Sequence, residues 1–204
     1  MANLGIAQVE ELLKKNKADQ ITNLIDRLQA DGLMVHVNPL QELLQPEGDI
    51  YEQAPLKTLE KLLSQVDFPV MVKEVGQGMG PKSLAALVAL PIAGIEFAAL
   101  GGTNFSLIEL MRSRESQMED MQILAELGHS PAQMVEYIND LPIISGGVTP
   151  ISGLYLQEEM PVPAITGMAF SFLKHARGDY KELQNYLRTV IKVLQIAHQF
   201  LERK

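Results

Sequence analysis

Pro69-Val70-Met71-Val72-Lys73-Glu74-Val75-Gly76-Gln77-Gly78-Met79-Gly80-Pro81 passes from a short apolar run through a glycine-rich turn to a proline. Pro69 to Val75 reads as a strand of a parallel sheet buried on both faces, because apolar and β-branched residues predominate. Pro81 suits the first turn of a helix, and Leu84, Leu87 and Val88 give Pro81 to Leu90 an apolar stripe. The same strand, turn and helix order recurs on either side. Leu4 to Val9, Leu33 to Val37, Gly94 to Ala98, Pro142 to Ser145 and Val162 to Thr166 read as further strands. Between the first two, Ala18 to Gln29 repeats Ile21, Leu24, Ile25 and Leu28 at helical steps, and Asp31-Gly32 closes it. Leu56, Leu59, Leu62 and Leu63 repeat the pattern before Pro69, and Tyr180 to Arg203 carries a long stripe from Leu183 to Ala197. Arg112 to Gly128 is charged and Met-rich, and reads as an excursion on the ligand side.

Strands alternating with helices at this spacing imply right-handed βαβ units and an α/β fold in one domain spanning 1–204. Six strands fit either an open doubly wound sheet or six-eighths of a barrel, and periodicity does not separate the two.

Composition narrows the function classes. A net charge of -8 argues against an extended nucleic-acid surface. The absence of cysteine excludes disulfides, thiol nucleophiles and cysteine-held metals. His36, His129, His175 and His198 are too scattered to suggest a histidine metal cluster, so any metal is expected to be a hard, oxygen-bound one. Apolar runs are broken well before the roughly 18 residues of a membrane span. Met1 leads into Ala2-Asn3-Leu4-Gly5 without a basic region and apolar core, so a cytoplasmic location is expected.

Ligands of parallel α/β folds bind at the carboxyl ends of the strands, and the unusual residues fall there. His36-Val37-Asn38-Pro39-Leu40-Gln41-Glu42, followed by Gln45-Pro46-Glu47-Gly48-Asp49, offers imidazole, carboxamide and carboxylate in one loop. These groups suit proton handling and a divalent cation; a polar loop with a helix cap is the plainer reading. Lys73 lies in an apolar strand, where desolvation calls for an anionic partner, either a ligand or a carboxylate. Its neighbour Glu74 points to the opposite face of the strand, which weakens that pairing. Gly76-Gln77-Gly78-Met79-Gly80 looks like a phosphate loop, but the acidic residue expected about 20 positions on is Glu96, inside the next strand. A turn into the helix at Pro81 explains the glycines equally. Gly101-Gly102-Thr103-Asn104, Ser145-Gly146-Gly147-Val148 and Gly167-Met168-Ala169 each follow a strand. Each alone signals a turn, whereas together they match the phosphate site after the last two strands of a barrel.

Taken in order, Asn3-Leu4-Gly5, His36 to Glu42, Gln45 to Asp49, Val72 to Gly76, Gly101 to Asn104 and Ser145 to Val148 resemble the type 2 isopentenyl-diphosphate isomerases. The resemblance covers essentially the whole chain. It implies an FMN-containing TIM (β/α)8-type barrel, with the six strands here matching its third to eighth. It implies that Asn3, Lys73 and Thr103 contact the flavin, and that Gly146, Gly147, Val148, Gly167, Met168 and Ala169 hold its phosphate. His36, Asn38 and Gln41 would face the substrate, with Gln41 assisting proton transfer, and Glu42 would hold Mg2+ on the diphosphate. The implied reaction interconverts isopentenyl and dimethylallyl diphosphate on reduced flavin, with NADPH as reductant, in a homo-oligomer. A carboxamide is a poor general base, so Gln41 is expected to orient or relay.

The family's N-terminal basic residues and first-strand flavin motif have no counterpart in these residues, and Thr149 stands where an arginine is expected. Six strands alone would leave open edges and an uncovered apolar lining. Two alternatives follow: a fragment or assembly piece with a partial FMN or phosphate site, and another FMN barrel such as a relative of the 2-hydroxy-acid oxidases. The His36 to Glu42 run argues against the second.

Overall fold

The computed structural model describes residues 1–45, 47–48, 51–112, 123–140 and 142–200. Pro46 and Asp49, most of the excursion expected after Arg112 and residues 201–203 of the helix expected from Tyr180 to Arg203 lie outside the described residues.

Six strands form one parallel sheet: β1 (Ala2–Gly5), β2 (Leu33–His36), β3 (Val70–Lys73), β4 (Gly94–Glu96), β5 (Pro142–Ser145) and β6 (Ile165–Gly167). Their spatial order is their chain order. A doubly wound sheet reverses its strand order at a switch point. This sheet has no reversal, so among the alternatives raised by the sequence it is barrel-like.

The first strand is shorter than the sequence suggests. Leu4 to Val9 does not continue as a strand, because Ile6 opens helix α1 (Ile6–Lys14). Ile6, Val9 and Leu13 then fall at three- and four-residue steps on one buried face. After α1 come α2 (Ala18–Leu28), α3 (Pro39–Leu44), α4 (Pro55–Leu63), α5 (Pro81–Val88) and α6 (Phe105–Arg112). Beyond the excursion lie α7 (Pro131–Tyr137), α8 (Pro150–Glu159), α9 (Phe170–Ala176) and α10 (Tyr180–Phe200). Proline occupies the first turn of α3, α4, α5, α7 and α8, where a missing N–H costs no intrahelical bond.

Burial divides the sheet by face. Leu33, Val35, Val70, Val72, Ile95, Phe97 and Ile144 are sealed among helix residues such as Val9, Ile21, Leu59, Leu62, Leu84 and Met134. Alternate residues face the other way: Asn3 is exposed, while Met34, Met71, Lys73, Glu96 and Ile143 are half-buried. Ile165 on β6 is 66% exposed. The expectation of strands buried on both faces therefore holds for the helix side only.

The last helix departs from its sequence reading in the same sense. Of the α10 stripe, Val190 is buried whereas Leu187 and Ile191 are exposed. Helix α10 packs on α8 and α9, leaving much of that stripe uncovered. Among the described residues no helix is long and apolar enough to cross a membrane.

Candidate functional site

Strand register sets out the site. Gly5, His36, Lys73, Glu96, Ile143 and Ile165 are successive partners across all six strands, so they form one row on the open face. Imidazole, ammonium and carboxylate thus stand on three adjacent strands, each about 4.8 Å from the next.

Beyond this row, at the carboxyl ends of β3 to β6, lies a cleft of about 820 Å³. Lys73, Thr103, Gly146, Gly147, Val148, Gly167, Met168 and Ala169 border it, and its wall also includes Glu96, Ser145, Phe170 and the backbone from Glu74 to Gly76. Eight residues picked from sequence thus meet in one place. Asn3, on β1, does not border the cleft, nor do His36, Asn38, Gln41 and Glu42.

The glycine turns are held by direct backbone contact. Gly146 and Gly147 have φ of +104° and +67°, which L side chains rarely adopt. A Cβ on Gly146 would fall 2.2 Å from the carbonyl oxygen of Ala99, and one on Gly147 would fall 2.4 Å from that of Gly101. The turn after β5 therefore lies against the turn after β4, with no room for side chains between them. Thr149, in the position where an arginine is expected, caps α8: its Oγ1 accepts from the Ser152 N–H, and Ser152 Oγ accepts from the Thr149 N–H.

Lys73 projects toward the cleft, and among the described residues no carboxylate lies within 4.0 Å of its ammonium. Glu74 goes the other way. It is 7% exposed, and its Oε2 accepts from the amides of Val75, Gly76 and Gln77 at 2.6 Å and of Gly78 at 3.0 Å. Burial pushes its carboxyl above the usual range, and the four amides oppose that shift. Across the cleft, Ser145 Oγ accepts from Ala98 N–H at 2.8 Å and donates to Glu96 Oε1 at 3.2 Å.

The polar rim is built from α3 and α6, which pack together. Asn38 donates from Nδ2 to Glu42 Oε1 at 2.8 Å and to Gln41 Oε1 at 3.3 Å. Gln41 Nε2 donates to Glu109 Oε1 at 3.4 Å, and Gln45 Nε2 reaches the same oxygen at 2.9 Å. Arg112 then spans Glu109 and Glu47 at 2.5 and 2.6 Å. Glu109 was not singled out in the sequence; it lies 68 residues from Gln41, and no local pattern announces the contact.

Among the described residues, the buried Nδ1 of His36 has no hydrogen-bond partner. Burial, and then the Lys73 charge, hold its imidazole below the ordinary value of 6.5, while Glu42 pulls upward. The ring is therefore neutral at pH 7. The buried hydroxyl of Tyr51 likewise has no partner among the described residues, and burial together with Glu42 and Glu74 pushes it up to about 12. Among the described residues no three His, Asp or Glu side chains cluster as a metal site.

No protein-family profile matches the chain. Curated proteins named isopentenyl-diphosphate delta-isomerase do align with nearly all of it. The protein from Ignicoccus hospitalis is 32% identical over 207 residues, which cover 97% of this chain and 56% of that protein. That from Thermococcus kodakarensis is 31% identical, covering 97% of this chain and 54% of its own length. That from Bdellovibrio bacteriovorus is 37% identical over 204 residues, covering 95% and 57%. The chain is thus similar along its length to isopentenyl-diphosphate delta-isomerases, and it spans just over half the length of these relatives.

Proposed function

We propose that these residues are the cofactor- and substrate-binding part of a type 2 isopentenyl-diphosphate isomerase, interconverting isopentenyl and dimethylallyl diphosphate in isoprenoid biosynthesis. In this reading the six strands are the third to eighth of a TIM (β/α)8-type barrel, and the protein works as a cytoplasmic homo-oligomer. The observation that carries it is the meeting of Lys73, Thr103 and the 146–148 and 167–169 turns around one cleft. The named relatives supply the reaction.

The residues present fit FMN. A cleft of about 820 Å³ is of the size that binds cofactors. Its glycine turns admit a phosphate close to the backbone, and Lys73 offers a cation with no carboxylate within 4.0 Å among the described residues. Reduced FMN bound there, with NADPH as its reductant, would supply the chemistry of proton exchange with the allylic carbons.

The chain's own groups bind and orient. His36, neutral at pH 7, offers a hydrogen-bonding imidazole rather than a second cation beside Lys73. Asn38 orients both Gln41 and Glu42 through its amide. Gln41 is held between Asn38, which donates to its oxygen, and Glu109, which takes its N–H. That fixes which end of the carboxamide carries the lone pairs, suiting a relay and not a base. Glu42 would hold Mg2+, for which one carboxylate suffices when diphosphate oxygens complete the shell.

The test is titration of the purified chain with FMN, followed by flavin absorption and fluorescence, with Lys73→Ala as control. Saturable binding lost in the variant is expected; turnover of isopentenyl diphosphate with Mg2+ and NADPH, and none of a 2-hydroxy acid, then separates this enzyme from another FMN barrel. Absence of FMN binding both by this chain and after assembly with further chain would sink the flavin reading. A second reading, in which these residues act only after assembly with further chain, is favoured by the exposed Ile165 and the open sheet face. Binding of FMN only after such assembly would support it.

A further inference from the structure

We propose that Glu74 is the standing anion of the Val75–Gly78 turn and, through that turn, the positioning residue for Lys73 and Thr103. The inference rests on the reading of those two residues as flavin contacts. Gly76 and Gly78 have φ of +144° and +67°, and with such angles successive amides converge on one point, the geometry in which a loop grips a phosphate. Here a side chain already fills that point. Four amides meet a single oxygen of a carboxylate that is almost wholly buried. Hydrogen bonds to a charged acceptor are the strong ones, and these four oppose the desolvation of the carboxylate and offset part of it. The glycine-rich turn therefore has no N–H of Val75, Gly76, Gln77 or Gly78 left for a ligand. A ligand phosphate is left to the turns after β5 and β6.

The filled turn acts on the site through its neighbours. Lys73 is the residue before Glu74, and the two side chains take opposite faces, so anchoring one turns the other toward the cleft. On its outer side the turn abuts Thr103: a Cβ on Gly76 would fall 2.7 Å from the Thr103 carbonyl oxygen. Gln77 fastens this contact. Its Nε2 donates to Asn104 Oδ1 and its Oε1 accepts from Ser106 Oγ, both at 3.2 Å, while its carbonyl accepts from His129 N–H at 2.7 Å. A displaced 75–78 turn would carry Asn104, and with it Thr103, out of place.

The experiment compares the wild-type chain with Glu74→Gln and Glu74→Ala by amide-resolved NMR. In Glu74→Gln, hydrogen exchange at Val75 to Gly78 is expected to quicken about tenfold or more while β2 and β3 stay protected. Inorganic phosphate is expected to leave the Gly76 and Gly78 amides of the wild type unmoved. In Glu74→Ala it should shift them saturably and restore slow exchange, a rescue that a merely structural role would not give. An FMN titration of Glu74→Gln is expected to show affinity about tenfold weaker with Lys73 intact. Unchanged exchange in Glu74→Gln, phosphate shifts at Gly76 to Gly78 in the wild type, or FMN affinity equal to wild type would each overturn the proposal. Should Glu74→Ala not fold, the wild-type phosphate titration and Glu74→Gln still decide. Wild type that binds no FMN counts against a flavin site in this chain alone, and the exchange and phosphate results still decide the role of Glu74 in its turn.

Discussion

The polar rim on α3 and α6 and the glycine turns beyond β4, β5 and β6 lie at the same end of one sheet, but they are held by different means. In the rim, side chains grip side chains: Asn38, Gln41, Gln45, Glu109, Arg112 and Glu47 form one chain of hydrogen bonds and ion pairs. In the turns, backbone lies on backbone, and Gly146 and Gly147 leave no space for a side chain against Ala99 and Gly101. A network of long polar side chains can give way and re-form, whereas a backbone contact cannot. The turns should therefore be the rigid half of the site and the rim the adjustable half.

The sharpest way to break that contrast is Gly146→Ala. The added methyl would need both a positive φ and 2.2 Å of space that Ala99 occupies, so a loss of about 3 kcal/mol or more is expected in chemical denaturation. Gly101→Ala is its control. The φ there is +115°, but the nearest atom to a Cβ is 3.6 Å away, so only conformational strain of about 1–2 kcal/mol applies. Equal costs at the two positions would mean that the turns do not bear on each other as described.

Next in size is Glu109→Ala. It strips the acceptor shared by Gln41 and Gln45 and leaves Arg112, half-exposed, to Glu47. Water can reach much of this network, so the expected loss is about 1–3 kcal/mol. Thermal melts of Glu109→Ala against Gln45→Ala check it, the latter losing less because Glu109 keeps its other partners. A Glu109→Ala chain as stable as wild type would show that the rim contributes no stability.

These two regions also differ in how much of them is legible in the sequence. The turns are legible because glycine pairs after strand-like runs are a local signal, and joint placement at strand ends does the rest. Why Gly146 and Gly147 are glycines is not legible, since the atoms that demand it belong to residues more than 40 positions away. The rim is legible in residue type, through His36, Asn38, Gln41 and Glu42, but its Glu109 half comes from a different βα unit. Glu74 is hidden for the opposite reason: it folds back on its own turn, where strand alternation says only that it points away from Lys73. The misread of Leu4 to Val9 is a matter of window length. Six residues with apolar positions at 4, 6 and 9 suit either period, and the buried Leu13 that settles the helix lies beyond them.

The pH dependence of stability separates the regions further. The folded His36 takes up a proton less readily than the unfolded one, because burial and Lys73 depress it from 6.5. The unfolded chain then binds more protons below that value, so stability is unaffected well above pH 6.5 and is lost as pH falls from 6.5 through the folded value. Glu74 has the opposite sign, since its raised value makes acid favour the folded state as pH falls through it toward 4.5. Subtracting the Glu74 effect requires a difference curve. Wild type minus His36→Gln, measured by urea unfolding from pH 8 to pH 5, should fall with acid from about 6.5 downward. A flat difference would mean that His36 is as free to charge in the folded chain as in the unfolded one.

The smallest effect tests the strain within the rigid half. Ala98 borders the cleft with φ of +38°, in the left-handed region that costs an alanine about 1–2 kcal/mol. What holds it there is a bond at each end of the residue: its N–H donates to Ser145 Oγ at 2.8 Å, and its carbonyl accepts from Gly78 N–H at 3.3 Å. Ala98→Gly removes the strain but gives the unfolded chain more freedom, worth about 0.5–1 kcal/mol against the variant. The net expectation is a gain of up to about 1 kcal/mol, the reverse of what alanine does at Gly146. Ser145→Ala should lose stability in the wild-type background and lose less in Ala98→Gly, because glycine adopts the turn without the hydroxyl to hold it. Independent, additive effects of the two substitutions would show that Ser145 serves Glu96, to which it donates at 3.2 Å, and not the backbone of the turn.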